Sequence, residues 1–170
     1  MASVLHLRKE LLYPPVEQVT AEVHVRSIVV PDDEESWLEL RKRATAGLRP
    51  PVRQWTRTDL AAQMLDKPWW RDDRTWVAIA PPIGEAGIVG AVTLALRTGA
   101  AARVPIVHWL LVAPEWRRRG VGRMLISRLE CAAWNDGWRE IELETHAGWR
   151  EAIAFYQSMG YAPVRERSPR

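Results

Sequence analysis

The segment that most restricts how this chain can fold is residues 105 to 113, PIVHWLLVA, an almost unbroken apolar run interrupted by one histidine. A run of that length between turn signals reads as a strand buried on both faces, as an interior strand of a layered sheet must be. The residues after it set the local topology. Arg117, Arg118, Arg119, Gly120, Val121 and Gly122 form a charged turn. Beyond it Val121, Met124, Leu125, Leu129, Ala132 and Ala133 recur at helical spacing until Gly137. Residues 138 to 146 (WREIELETH) then alternate strictly, with Ile141, Leu143 and Thr145 on one face, which predicts a second strand. Strand, helix, strand in this order implies a right-handed parallel crossover.

The rest of the chain fits one α/β domain with helices on both sides of a sheet. Residues 22 to 30 read as a strand, stopped by Pro31. Asp32 and Asp33 are set to cap a helix through Ala46, with Trp37, Leu38, Leu40 and Ala44 as its apolar stripe. Thr58 and Asp59 open a short helix through Leu65. Residues 75 to 80 and 88 to 96 read as a hairpin around a turn at 81–87, and a Gly-Ala loop comes next at 98–102. Trp149, Ala152, Ile153, Tyr156 and Met159 share a stripe of a last helix that Gly160 ends. Residues 1–20 have no clear pattern and are expected to be an N-terminal extension to a single domain over 21–166.

Composition narrows the class of function. A net charge of +3, with 24 basic residues interspersed among 21 acidic ones, gives no basic face for nucleic acid. Cys131 is the only cysteine, so no internal disulfide can form and a reducing compartment is expected. His6, His24, His108 and His146 lack metal-site spacing. No stretch is long and apolar enough for a membrane helix, and Arg8, Lys9 and Glu10 break the only candidate signal core. A soluble cytoplasmic protein, without a metal, nucleic-acid or membrane partner, is the expectation. Ten tryptophans against one phenylalanine is unusual usage. Most should supply core volume, and a few could wall an acceptor pocket.

The turn from Arg117 to Gly122 suits an anion. A helix start presents unpaired N–H groups and a partial positive charge, and glycines let a phosphate approach them. On the hexapeptide alone a solvated turn and a nucleic-acid patch remain open. A Walker A loop is excluded, because no Gly-Lys-Ser/Thr comes after it, and the three-glycine spacing of a dinucleotide fingerprint is missing.

Residues 109 to 122, WLLVAPEWRRRGVG, resemble the strand-turn-helix motif of the GNAT superfamily of N-acetyltransferases, whose core is Arg/Gln-x-x-Gly-x-Gly/Ala. Residues 152 to 161, AIAFYQSMGY, resemble its second hallmark, an Ala-x-x-Phe/Leu-Tyr-x-x-x-Gly-Phe/Tyr helix. The two motifs together, one helix and one strand apart, are specific. The resemblance implies a mixed, mostly antiparallel sheet whose two central parallel strands splay apart to admit acetyl-CoA as co-substrate.

By the same resemblance, the backbone of Leu110, Leu111 and Val112 would bind the pantetheine arm as an added strand would, and the amides of Arg118, Arg119, Gly120, Val121, Gly122 and Arg123 would hold the pyrophosphate. The arginines, Arg117 included, would add charge around the rim. An unidentified amine acceptor would attack the thioester directly, with the N–H near Val112 meeting the oxyanion. Tyr156 falls where the family keeps the acid that protonates the leaving thiolate.

Two positions depart from the family pattern: no carboxylate stands in 104–112, and Trp149 replaces an asparagine. Glu144 and His108 are the candidates for the base, with water as the alternative. A GNAT-fold protein that senses acyl-CoA without turnover is the competing reading, and a homodimer is left open.

Overall fold

The computed structural model describes residues 3–81, 87–98 and 102–164. The expected turn at 81–87, the loop at 98–102 and the domain end at 166 fall wholly or partly outside these residues. Among the described residues one 7-stranded sheet carries the fold. Its strands are β1 (Val4–Glu10), β2 (His24–Ser27), β3 (Thr75–Ile79), β4 (Ile88–Thr98), β5 (Arg103–Val112), β6 (Glu140–His146) and β7 (Ala162–Pro163). They lie in the order β2-β3-β4-β5-β6-β1-β7. Pairing is antiparallel throughout except between β5 and β6, which run parallel. The helices are α1 (Glu34–Thr45), α2 (Arg57–Leu60), α3 (Val121–Asn135) and α4 (Arg150–Ser158). The fold is therefore the mixed, mostly antiparallel α/β sheet that the motifs imply.

Local chemistry explains where the elements begin and end. The strand expected over 22–30 shortens to β2 because Asp33 reaches back: its carboxylate accepts the Val29 N–H at 2.8 Å and two bonds from the Arg26 guanidinium at 2.6 and 2.9 Å. Asp33 is the residue before α1 but makes no side-chain cap bond, contrary to the expected capping role. The Arg26 guanidinium holds its carboxyl below the usual range. The next helix is capped two residues earlier than expected. Thr56 accepts the Asp59 N–H while the Asp59 carboxylate accepts the Thr56 N–H, a capping box that opens α2 at Arg57.

The first residues are built into the sheet. β1 pairs with β6 along its full length, from Val4 opposite His146 to Glu10 opposite Glu140, and also contacts β7. The strand VLHLRKE offers Leu5 and Leu7 to the core before Lys9 takes the next inward position, which is why the pattern is faint; Leu7 is fully buried and Leu5 partly. Lys9 adds an ionic anchor. Its Nζ donates at 2.8 Å to both oxygens of Glu130, a buried residue of α3, and the Tyr161 hydroxyl donates to the same carboxylate at 3.0 Å. The segment after β1 then crosses α3. There the Gln18 N–H donates to Ser127 Oγ, Glu17 pairs with Arg128, and Cys131 Sγ donates to Pro15 O. This strap buries Ser127 and Glu130 on a helix face that periodicity alone leaves polar.

Lys9→Met should lower the unfolding free energy by about 2–4 kcal/mol, because it strands a buried carboxylate. Arg8→Met, which removes only an exposed pair with Glu140, should cost less than about 1 kcal/mol. Urea denaturation of the two variants beside wild type checks the difference.

Candidate active site

β5 is the centre of the site because its two edges differ. Toward β4 it stays paired up to Val112 opposite Gly90. Toward β6 the bridge among the described residues joins Ile106 to Glu142, and nothing pairs the strands beyond it. The Ala113 N–H donates to Val89 O at 2.8 Å, so by antiparallel alternation Val112 turns its N–H away from β4, toward the gap. The β4–β5 register also shifts between Ala91 and Thr93, opposite Trp109 and Leu110, and Trp109 takes φ 47. A left-handed backbone at a bulky residue costs of order 1–3 kcal/mol and collects at functional sites.

The gap opens onto the start of α3. Arg118 (φ 64) and Gly120 (φ 81) turn the chain so that α3 begins with no side-chain cap. Among the described residues none of the N–H groups from Arg118 through Arg123 has a partner; the first to find one is Met124, which donates to Gly120 O. A run of bare N–H groups at a helix start is an anion site. At Gly120 an added Cβ would meet nothing within 4 Å, but the left-handed φ disfavours any other residue. Gly122 has a different reason: a Cβ there would lie 3.2 Å from the Phe155 ring of α4, so it clears room for a helix rather than for a phosphate.

The arginine side chains divide. Arg117, expected at the rim, turns inward and donates to Ala44 O at 2.8 Å, fastening the end of α1 to the turn. Arg123 donates to Ser158 Oγ at 2.9 Å, and the Arg119 guanidinium lies over the Trp116 ring. Arg118 is exposed, with no side-chain partner among the described residues.

Tyr156 is half-buried on α4, its ring against Phe155 and Tyr161, and burial pushes its phenol well above the ordinary value. Its hydroxyl has no partner among the described residues. Glu144 lies two residues beyond the Ile106–Glu142 bridge, level with His108. It is 50% exposed and accepts from Arg97 at 2.8 Å, with His6 Nδ1 at 3.4 Å. Arg97 also pairs with Glu142, so one β4 guanidinium ties down two of the three glutamates of β6.

His108 is enclosed edge-to-face between Trp69 and Trp109, its Nε2 buried without a partner. Burial lowers its pKa to about 4. Among the described residues no group of three or more His, Cys, Asp or Glu converges as metal ligands would, and no helix is long and apolar enough to cross a membrane.

The same aromatic cluster holds a residue that apolar periodicity passes over. The inner stripe of α1 is Trp37, Leu40, Arg41, Ala44 and Thr45, with Arg41 in the middle where an apolar side chain is expected. Its guanidinium carbon lies 4.2 and 4.4 Å from the Trp55 and Trp109 ring centres, and desolvation lowers its pKa to about 10. Each buried donor left unmet costs about 1–3 kcal/mol. Arg41 Nε and Trp109 Nε1 are both in that state, as is Trp149 Nε1 just before α4.

A parallel pair that splays beside a bare helix start is the arrangement that decides the comparison with known proteins, and residues 35–161 match the Acetyltransferase (GNAT) family. The chain belongs to that family. It is 30% identical to a mycothiol acetyltransferase of Nocardiopsis dassonvillei over 95% of its own length and 52% of the relative's. Among solved structures it is similar to a GCN5-related N-acetyltransferase from Sphaerobacter thermophilus, with TM-score 0.71, 20% identity, and coverage of 95% of this chain and 48% of that one. AAC(6')-Iy in complex with the bisubstrate analog CoA-S-monomethyl-acetylneamine is a further neighbour. It has TM-score 0.62 and 22% identity over 88% of this chain and 98% of that one. The chain thus spans about half the length of the first two relatives. GNAT acetyltransferases use acetyl-CoA, and the bare N–H run and the unpaired edge of β5 fit its pyrophosphate and its amide-bearing arm.

The neutral His108 has a pH signature. Its folded pKa of about 4 lies below the ordinary value near 6.5, so the unfolded chain binds more protons between them. Its contribution to stability is full above about pH 6.5 and is lost as pH falls toward 4, by about 1–3 kcal/mol. The unfolding free energy of His108→Leu should fall less than that of wild type between pH 7 and pH 4.5. Parallel slopes would show that the imidazole is not desolvated.

Proposed function

We propose that this GNAT chain transfers an acetyl group from acetyl-CoA to a primary amine of a small molecule or protein by direct attack, without an acyl-enzyme step. The observation that carries the reading is the unmet N–H run from Arg118 to Arg123 at the mouth of a gap in the sheet. Acetyl-CoA supplies the acetyl group as a thioester. The β5 edge at Leu110, Leu111 and Val112 binds its arm, with Leu110 and Val112 offering the groups turned to the gap and Leu111 between them paired with Ala91 of β4. The Val112 N–H donates to the acyl oxygen as negative charge develops there.

Tyr156 is the proton donor to the departing sulfur. Burial keeps the phenol protonated, so it donates only when negative charge has built up beside it. The apolar side of α4 supports a ligand in this place: none of its residues is fully buried, and Ala152, Ile153, Phe155 and Tyr156 are half-open. For the proton of the ammonium, Glu144 is better suited than His108. It accepts from Arg97 and is reachable by water, whereas His108 Nε2 is sealed and only weakly basic.

Acetyl-CoA at about a hundred times its Kd should add about 2.7 kcal/mol of stability. Gly120→Val should lose that shift, through the strained φ and a side chain placed before the amides. Tyr156→Phe should bind acetyl-CoA as wild type does and lose about 10²–10⁴-fold in kcat. Binding without turnover on any amine would instead support the acyl-CoA sensor.

The base is tested separately. Glu144→Gln should lose the acidic limb of the kcat/KM profile, and a retained limb would assign proton removal to solvent.

A further inference from the structure

Arg41 is 2% exposed in the middle of the helix–sheet interface, and no carboxylate among the described residues pairs with it. Asp59, the acid whose charge acts on it, is held by Arg53 at 2.9 Å. The surroundings satisfy the guanidinium only in part. The Trp55 and Trp109 rings meet at 77° with centres 5.1 Å apart, a corner that bounds it on two sides. Arg53 O accepts from Nη1 at 2.9 Å. Nε is buried with no acceptor, and so is the Trp109 indole N–H beside it. Ring faces attract the cation but accept nothing from N–H groups lying in its plane, so the cation–π contacts leave the Nε–Nη2 fork unmet.

The location gives the unmet fork a purpose. Trp109 directly precedes Leu110 on β5, at the shifted register where β5 has parted from β6, so Arg41 stands one indole away from the strand edge assigned to the acyl donor. We infer that Arg41, with the Trp109 N–H, anchors a carboxylate carried by the acceptor amine, an assignment that rests on the acetyltransferase reading. A guanidinium fork matches a carboxylate with two parallel bonds, which a lysine could not offer. The charge count favours a monoanion: His108 is neutral and the Arg53–Asp59 pair cancels itself, so a dianionic phosphate would bring one charge that nothing balances. Acceptors of this class are amino acids, ω-amino acids and peptides presenting a nearby carboxylate.

Matched pairs of primary amines that differ only in carboxylate against carboxamide test this, such as β-alanine, 4-aminobutanoate and 6-aminohexanoate with their amides. Two readouts are taken on the full chain: kcat/KM with acetyl-CoA, and binding followed by tryptophan fluorescence. Wild type should prefer the carboxylate of at least one pair by about 10–100-fold, the worth of a hydrogen-bonded charge in a dry site. In Arg41→Met the ratio should collapse toward one, and in Arg41→Lys it should fall to an intermediate value. A residue serving only to hold α1 would lower both members of a pair together and leave the ratio standing.

The wild-type ratio needs no variant, so the test survives if Arg41→Met does not fold. Equal handling of both members of every pair, in turnover and in binding, overturns the anchor and leaves acetyl transfer intact. Failure of acetyl-CoA to bind removes the acetyltransferase reading, while carboxylate-selective fluorescence would still support the anchor.

Discussion

A strand paired along one edge and bare along the other must find partners for its outward N–H and C=O groups, because each one left dry and unmet costs about 1–3 kcal/mol. β5 is in that position beyond Ile106. Its β4 edge is paired as far as Val112, so the strand cannot rotate to satisfy the other edge without breaking that ladder. The register shift at Trp109 and Leu110 fixes the twist at which β5 departs. The other parts of the site depend on this divergence. The turn after β5 delivers the start of α3 to the mouth of the gap, and Arg117 ties that turn to Ala44 of α1. The two walls of the gap are thereby set by backbone geometry rather than by a mobile loop.

The divergence exposes β6 to the same difficulty, and the N-terminal strand resolves it. β6 has lost β5 along most of its length, and without β1 it would be bare on both sides. β1 covers it from Glu140 to His146 and anchors through Lys9 to Glu130 and Tyr161. Tyr161 also stacks against Tyr156, so the anchor reaches the residue assigned to proton donation through one aromatic contact. Residues remote in sequence from both motifs therefore hold one wall of the gap. β7 lies outside β1 in the sheet, so the final strand closes on the N-terminal one rather than on β6.

The fold is most legible in the sequence where a single periodicity decides an element. The α3 and β6 patterns, the turn between β5 and α3, and the parallel crossover are readable because one face of each is apolar and the other is not. Legibility fails where tertiary contacts supply the second partner. β1 shows only Leu5 and Leu7 to the core, so its apolar alternation is two residues long, and its ionic anchor pairs residues far apart in the chain. Asp33 reads as a cap and is a ligand for Arg26 instead, because a carboxylate two residues after a proline can turn either way and Arg26 decides. Arg41 is hidden where a helix is read for its apolar positions alone. It lies four residues after Trp37 and three before Ala44, so the stripe itself marks it as a charge in the interior. Spacing assigns Gly122 to the phosphate, and only the position of Phe155 reveals its packing duty.

The tryptophan usage is consistent with such a site. Trp37 and Trp76 are buried, while Trp55, Trp69, Trp109 and Trp149 are half-buried near the gap. A wall that must be apolar when closed and hydrogen-bonding when filled suits an indole, which carries a large ring with one donor on its edge. Phenylalanine offers no donor, and tyrosine adds an acceptor that the buried Arg41 could use in place of a ligand. Two of these indoles, Trp109 and Trp149, have buried N–H groups without partners, on opposite sides of the divergence between β5 and β6. The unmet groups thus sit where the backbone is also unmet, and one ligand spanning the gap would satisfy both sets at once. Of the buried polar side-chain atoms without a partner among the described residues, Arg128 Nε on α3 alone lies away from this region, and the gathering of the other four separates a binding site from packing defects, which would fall at random through the core.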